Sequence, residues 1–180
     1  MPTRILLEGR PGSGKTTALR RLAGLLPARV ATGFTTEEIR QSGHRVGFAL
    51  ETMAGRREVL AHVDLPGPPR VGKYGVDLGV MERLALPSLR PATSTEVTGR
   101  LVLIDELGRM ELAYGAFRDA VITLFSADVD VVATVHAQRD TFTDALKRRA
   151  DIEVVHLTPA NRDSLPEELA ARLRRGKPDR

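Results

Sequence analysis

A glycine-rich segment near the start of the chain carries the residue types that bind phosphate. Residues 9–16 fit the pattern G-x-x-x-x-G-K-[ST], in which glycines let backbone N–H groups point inward at a phosphate. The Lys15 ammonium would reach β- and γ-phosphate oxygens, and the Thr16 hydroxyl would be a ligand of Mg²⁺. The segment therefore predicts a binding site for a triphosphate group. Its predicted contact residues are Gly9, Arg10, Pro11, Gly12, Ser13, Gly14, Lys15, Thr16 and Thr17.

An acidic pair supplies the second half of such a site. Asp105 and Glu106 directly follow the apolar run 101–104, which predicts a buried strand with both carboxylates at its end. Asp105 would hold Mg²⁺, directly or through water, and Glu106 would remain available to orient and deprotonate an attacking water. Residues 105–108 also fit the D-x-x-G pattern of GTPases. The chain has no Asn-Lys-x-Asp motif for recognising guanine, which argues against a regulatory GTPase.

Three basic residues are candidates for a second cation at the triphosphate. Phosphoryl transfer benefits from a positive charge beyond that of Lys15. The candidates are Arg40, Lys73 and Arg109, and the sequence does not choose among them. The alternative for each is a surface charge or a structural ion pair. We group Arg109 with Lys15 and Glu106 as the candidate catalytic residues.

Two further positions could face the nucleotide. His136 ends an apolar run, where it would either sense the γ-phosphate or serve as a capping or buried, hydrogen-bonded histidine. Asn161 and Arg162 fall in a predicted loop after the last strand, a usual place for contacts to the base. Asn161 could instead cap the helix that follows. We predict base contact for this loop.

The order of the predicted elements gives the fold class. Apolar runs typical of strands alternate with segments whose apolar residues recur at helical spacing. This alternation predicts an α/β fold, a mostly parallel sheet with helices on both faces. Besides 101–104, the predicted strands are 4–8, 130–136 and 152–157, and the predicted helices are 17–26, 78–86, 114–125, 141–149 and 164–174.

The segment from residue 33 to residue 63 has a different pattern. Short alternating runs at 36–40, 45–50 and 57–63 are separated by turn-forming residues, which predicts an antiparallel β-meander. We expect this insertion to form a lobe beside the parallel sheet, close enough to cover the nucleotide. Residues 91–98 are predicted to be a polar connector.

Composition limits the function classes that remain. A chain of 180 residues suits a single domain covering residues 1–180, and the absence of cysteine excludes disulfides, thiolate metal sites and cysteine nucleophiles. No apolar run is long enough to span a membrane and no signal peptide is evident, so we expect a cytoplasmic protein, with a monomer the default. The formal charge of +4 lies in the basic tail at 172–180, and the other residues together are neutral. Because charge clusters at a chain end are usually just solvated, we do not favour nucleic-acid binding.

The ordered set of motifs resembles the small P-loop nucleoside-triphosphatase family first known from thermophiles, which also has bacterial members and a human cancer-related one. The resemblance covers nearly the whole chain and implies a RecA-like sheet flanked by helices. It also implies slow hydrolysis of ATP, GTP and other nucleoside triphosphates to the diphosphate and phosphate. Because the motif residues predict a Mg²⁺ site and the chain has no base-reading signature, we expect a Mg²⁺-dependent reaction with broad base specificity, on ATP, GTP, CTP and UTP. Arg109 stands where members often have lysine. The matching segments are 9–17, 33–40, 45–48, 71–76, 104–112, 133–136 and 161–163.

Two other functions remain open on the sequence. A nucleoside or small-metabolite kinase would use the same triphosphate site, with Glu37, Glu38 or Glu106 acting on an acceptor hydroxyl. A nucleotide-gated binding module would use slow turnover to time a partner interaction through the basic tail. A kinase should turn over ATP much faster when its acceptor is added, whereas a switch should bind diphosphate tightly.

Overall fold

The computed structural model describes residues 1–26, 31–90 and 100–175. Within these ranges the chain forms one sheet of nine strands. The strands are β1 (Arg4–Gly9), β2 (Ala31–Gln41), β3 (His44–Thr52), β4 (Arg57–His62), β5 (Arg70–Val71), β6 (Tyr74–Val76), β7 (Leu101–Ile104), β8 (Asp130–His136) and β9 (Glu153–His156). Their order across the sheet is β5-β6-β4-β3-β2-β7-β8-β1-β9. The predicted connector at 91–98 and residues 176–180 of the predicted basic tail lie outside the described residues.

Helices cover both faces of this sheet. They are α1 (Lys15–Gly24), α2 (Leu78–Val80), α3 (Leu86–Ser88), α4 (Gly115–Ser126), α5 (Thr141–Lys147) and α6 (Leu165–Arg175). A π-helical turn, Met81–Ala85, joins α2 to α3, so the helical stretch continues past Pro87, where it was predicted to stop. Pro87 follows this π-helical turn as the second residue of α3. No helix in the described ranges is long and apolar enough to cross a membrane.

The sheet has a parallel half and an antiparallel half, joined by β2. Strands β2, β7, β8, β1 and β9 run parallel to one another, as the alternation of strands with helices predicts. The remaining pairs, from β2 to β3 outward to β5, are antiparallel. The sheet is therefore mixed, with the parallel half forming the P-loop type of core.

The predicted meander differs in position from the expected lobe. Its strands do not form a body beside the parallel sheet but continue it, because β2 begins at Ala31 and pairs with β7 from Ala31 to Phe34. The same strand then pairs with β3 as far as Gln41. Gly33 permits the close pairing with β7, since its φ is +107° and a Cβ there would lie 1.8 Å from the Leu103 carbonyl oxygen.

Two apolar clusters hold the helices to the sheet. Alternate residues of the central strands point to opposite faces, so each face buries its own set. One cluster includes Phe34, Ile104 and Phe117 and lies under α2–α4. The other includes Leu7, Leu19 and residues of α6. All four residues of β7 are buried, which is expected for a parallel strand covered on both faces.

The strand order brings the two predicted motifs to one edge. β8 lies between β7 and β1, and all three strands have their carboxyl ends on the same side. The glycine-rich segment follows β1 and the acidic pair follows β7. Residues at the end of β8 therefore lie between them, in the crevice where open α/β sheets bind ligands.

Candidate active site

The glycine-rich segment forms a compact loop that ends at the start of α1. Gly12 and Gly14 have φ angles of +76° and +97°, in the left-handed region that glycine adopts without strain. Gly9 has no room for a side chain, because a Cβ there would lie 2.4 Å from the Ser13 Oγ. Gly14 occupies the N-cap position of α1, whose first-turn N–H groups and dipole favour an anion. The loop therefore has the shape of a phosphate cradle.

Lys15 is held inside this loop. Its side chain is 8% exposed, and Nζ donates hydrogen bonds to the carbonyl oxygens of Gly9 at 3.1 Å and Arg10 at 3.2 Å. The same ammonium group lies 3.7 Å from Glu106 Oε2. The structure thus places the predicted phosphate-binding lysine beside the predicted general base.

Asp105 lies at the centre of a hydroxyl-lined site. It is 2% exposed, the Thr16 hydroxyl donates to its Oδ2, and the Thr134 hydroxyl donates to its Oδ1 at 2.6 Å. Burial raises the pKa of the Asp105 carboxyl, and the two hydroxyl hydrogen bonds oppose that shift. The two predicted metal ligands, Thr16 and Asp105, are therefore in direct contact. Thr134 is not among the predicted site residues, although a threonine in the otherwise apolar run 131–135 is a visible signal.

Glu106 contacts basic groups on both of its oxygens. Its Oε2 faces Lys15, and its Oε1 lies 2.6 Å from Nε2 of His136 at the end of β8. Of the two interpretations of His136, this contact agrees with a hydrogen-bonded histidine, and sensing of the γ-phosphate stays a prediction. The histidine is a direct partner of the acidic pair.

A third carboxyl group, Glu111, lies behind this pair. It is 4% exposed, and burial together with the negative charge of Glu106 raises its pKa to about 8. Gly108 separates the two acids, since a Cβ at Gly108 would lie 2.8 Å from Glu111 Oε2 and 2.9 Å from Glu106 Oε1. Glu111 is not among the predicted site residues either, although an acid between Met110 and Leu112 in an apolar stretch is a signal of burial.

The three candidate cations differ in their contacts. Arg40 makes its hydrogen bonds within the β2–β3 hairpin, where its guanidinium group donates to Glu38 at 2.6 Å and to the Gly43 carbonyl oxygen at 3.1 Å. Lys73 lies over the ring of Tyr74, with Nζ 5.4 Å from the ring centroid. Arg109 is exposed in the turn that follows the acidic pair. These contacts make Arg40 the poorest candidate and leave the role of Arg109 a prediction.

The predicted base-contacting loop is ordered by Asn161. Its Oδ1 accepts from the Thr158 N–H at 2.8 Å, and its Nδ2 donates to the His156 carbonyl oxygen at 2.8 Å. The amide therefore holds the loop together, and the predicted contact of Asn161 with a base would compete with these bonds. Arg162 lies beside the phosphate cradle, with its Cδ 3.9 Å from the position of a Cβ on Gly14.

An ion pair beneath the cradle ties α5 to the sheet. Lys147 forms a close salt bridge with Glu8, and both side chains are 16% exposed. The Lys147 Nζ also donates to the His136 carbonyl oxygen at 3.0 Å. The carboxyl ends of β1 and β8 are thereby fixed relative to each other, directly below the loop and the acidic pair.

Comparison with known proteins identifies the family. The NTPase family model matches residues 4–170. The chain is 43% identical over 166 residues to the nucleoside-triphosphatase THEP1 of Thermotoga petrophila, covering 92% of this chain and 90% of that protein. It is 37% identical over 177 residues to the human cancer-related nucleoside-triphosphatase, covering 92% of this chain and 93% of that protein.

Solved structures agree with this assignment. The crystal structure of THEP1 from Aquifex aeolicus superposes with a TM-score of 0.85 at 33% identity, covering 95% of this chain and 99% of that one. The solution structure of the human protein gives a TM-score of 0.82 at 34% identity, covering 98% and 100%. The expected resemblance and fold class are thus confirmed. The chain therefore belongs to the NTPase family and is an enzyme of the nucleoside-triphosphatase class.

Proposed function

We propose that this protein hydrolyses nucleoside 5′-triphosphates to the diphosphate and phosphate in a slow, Mg²⁺-dependent reaction with broad base specificity. One observation carries the proposal: the phosphate cradle and the acidic pair, separate in sequence, meet at one crevice. There Lys15 lies 3.7 Å from Glu106, and Thr16 bonds directly to Asp105. We further propose that the protein works as a cytoplasmic monomer.

The residues present fit a magnesium ion. Mg²⁺ prefers oxygen ligands and is usually held by one or two carboxylates, waters and the substrate phosphates rather than by a full protein cage. The Thr16 hydroxyl and the Asp105 carboxylate are such donors, and they already lie in contact. Among the described residues no cluster of three or more acidic or histidine side chains forms a cage, which agrees with this mode of binding. When bound, the ion would neutralise charge on the β- and γ-phosphate oxygens.

Glu106 is the proposed general base. Its carboxylate lies next to the Lys15 ammonium, which would exchange its bonds to the Gly9 and Arg10 carbonyl oxygens for bonds to phosphate. Glu106 would take a proton from water, the water oxygen would bond to the γ-phosphorus, and the bond from that phosphorus to the bridging oxygen would break. The diphosphate leaves with the electron pair of that bond.

The positions of the contact residues support the proposed broad base specificity. The cradle and Lys15 would bind the triphosphate, which ATP, GTP, CTP and UTP share. The Asn161 amide is occupied within its own loop, so it offers no free donor and acceptor pair to tell bases apart. Arg162, beside the cradle, would contact any base through its planar guanidinium group rather than through a base-specific pattern.

Phosphate release tests the proposal. The wild type would be compared with Lys15→Ala and Glu106→Gln on all four triphosphates, with Mg²⁺ and with a chelator. We expect each substitution to lower the rate at least about tenfold, in the usual range for a phosphate clamp or general base. Glu168→Gln, an exposed carboxylate on α6, is the matched control and should have no effect. If Glu106→Gln releases phosphate as fast as the wild type, the mechanism is refuted. If the wild type itself releases no phosphate, a kinase that lacks its acceptor is favoured.

A further inference from the structure

His136 contacts the proposed base directly, and its two ring nitrogens have different surroundings. Nε2 lies 2.6 Å from Glu106 Oε1. Nδ1 is buried, and among the described residues it has no hydrogen-bond partner. A ring with one strongly bonded nitrogen and one buried, unpartnered nitrogen has a defined arrangement of hydrogens.

That arrangement follows from the cost of burying an unpaired donor. A hydrogen on Nδ1 would have no acceptor, whereas a lone pair there is less costly to leave without a partner. A separation of 2.6 Å between Nε2 and a carboxylate oxygen requires a hydrogen between them. Nε2 therefore donates its hydrogen to Glu106 Oε1.

The backbone of His136 is fixed as firmly as its ring. His136 pairs with Gly9 across β1 and β8, and its carbonyl oxygen accepts a hydrogen bond from Lys147 at 3.0 Å. Thr134, two residues earlier on the same face of β8, donates to Asp105. One central strand thus carries a hydrogen-bond donor for each member of the acidic pair.

We propose that His136 is a positioning residue for the general base: its Nε2–H holds Glu106 Oε1, so that Oε2 is aimed at the attacking water. The proposal rests on the proposed role of Glu106. During the reaction the proton from water goes to Oε2, while the Nε2–H of His136 stays bonded to Oε1. A carboxylate free to rotate would point the wrong oxygen, or neither, at the water, and a small misplacement in a reacting group is costly.

Three substitutions separate the hydrogen bond from the bulk of the ring. His136→Gln keeps an N–H donor at a similar reach, His136→Asn keeps an amide that is too short, and His136→Leu keeps bulk without a donor. We expect kcat for ATP to fall about tenfold or more in His136→Leu and His136→Asn. In His136→Gln it should stay within about threefold of wild type. KM should change little in all three, because the cradle is untouched.

The comparison with Glu106→Gln separates this proposal from the proposed function. In a Glu106→Gln background, His136→Leu should have no further effect on kcat, because no base remains to be positioned. His44→Leu, at the exposed first residue of β3, is the control for loss of a histidine. Thermal melting of each variant reports whether it is folded, and His136→Asn provides the donor-loss test if His136→Leu does not fold.

Three results would overturn the role of His136. If His136→Leu is folded and has wild-type kcat, Glu106 needs no hydrogen-bond donor. If Glu106→Gln still lowers kcat in the same experiment, the proposed function stands. Equal losses in His136→Gln and His136→Leu would show that the ring matters for packing rather than for its hydrogen bond. If Glu106→Gln itself is fully active, the proposed function fails first, and the positioning role fails with it.

Discussion

Glu111 should make the protein less stable as the pH rises. Its pKa is raised from the ordinary 4.5 to about 8, mainly by burial and then by the charge of Glu106. Between these values the unfolded chain has lost this proton while the folded protein still holds it. The contribution of Glu111 to stability is therefore complete below pH 4.5 and is lost as the pH rises through about 8.

The size of the effect follows from the difference in proton binding. One proton held only by the folded state changes the free energy of unfolding by about 1.4 kcal/mol for each pH unit. Between about pH 5 and about pH 7 the contribution of Glu111 should thus fall by about 3 kcal/mol. Glu111→Gln stays neutral at both pH values, so the variant lacks this dependence. Its free energy of unfolding, relative to wild type, should rise by that amount over the interval.

Urea unfolding without Mg²⁺ measures this difference. Wild type and Glu111→Gln would be unfolded at several pH values from about 5 to about 8, and their free energies of unfolding subtracted at each one. The subtraction cancels the groups that titrate equally in both proteins. Glu168→Gln serves as the matched control, since its carboxylate is exposed and should give a flat difference. A flat difference for Glu111→Gln would refute the reasoning that burial keeps Glu111 protonated.

Two further substitutions test the supports of the site. Thr134→Val removes the hydroxyl that donates to Asp105, so the Mg²⁺ concentration for half-maximal phosphate release should rise about tenfold; an unchanged metal requirement would contradict this. Lys147→Met leaves the Glu8 carboxylate half-buried without its ammonium partner and should lower the free energy of unfolding by about 3 kcal/mol, measured in urea. Arg148 is exposed, so Arg148→Met should lower the free energy of unfolding much less. If both variants lower it equally, the ion pair between Lys147 and Glu8 adds no specific stability.

The parts of the site that the sequence predicted are encoded locally. The glycine-rich loop is a continuous segment whose spacing is set by its wrapping around a phosphate. The acidic pair follows a strand predicted at 101–104 and found there. The strand predicted at 130–136 also has the predicted bounds. In each case the pattern of apolar residues and the chemical groups lie within a few residues of one another, so no knowledge of tertiary structure was needed.

The parts that the sequence did not predict depend on which strands are neighbours. Thr134 and His136 acquire their partners only because β8 lies between β7 and β1, an order that no local pattern states. The burial of Glu111 likewise depends on packing around the turn after Glu106. The hydrogen bonds of the Asn161 amide within its own loop were likewise not predicted, and its contact with a base stays a prediction.

The continuity of β2 affects how the protein unfolds and how its chain can be shortened. Its first residues complete the edge of β7, and Asp105 donates its backbone N–H to the Phe34 carbonyl oxygen at 3.0 Å. Excising the outer strands at residue 33 would cut this pairing and expose the side of β7 that precedes the acidic pair. The antiparallel half is therefore no detachable module. It should unfold together with the nucleotide-binding half in one cooperative transition, and a shortened chain that lacks it should not retain the catalytic edge.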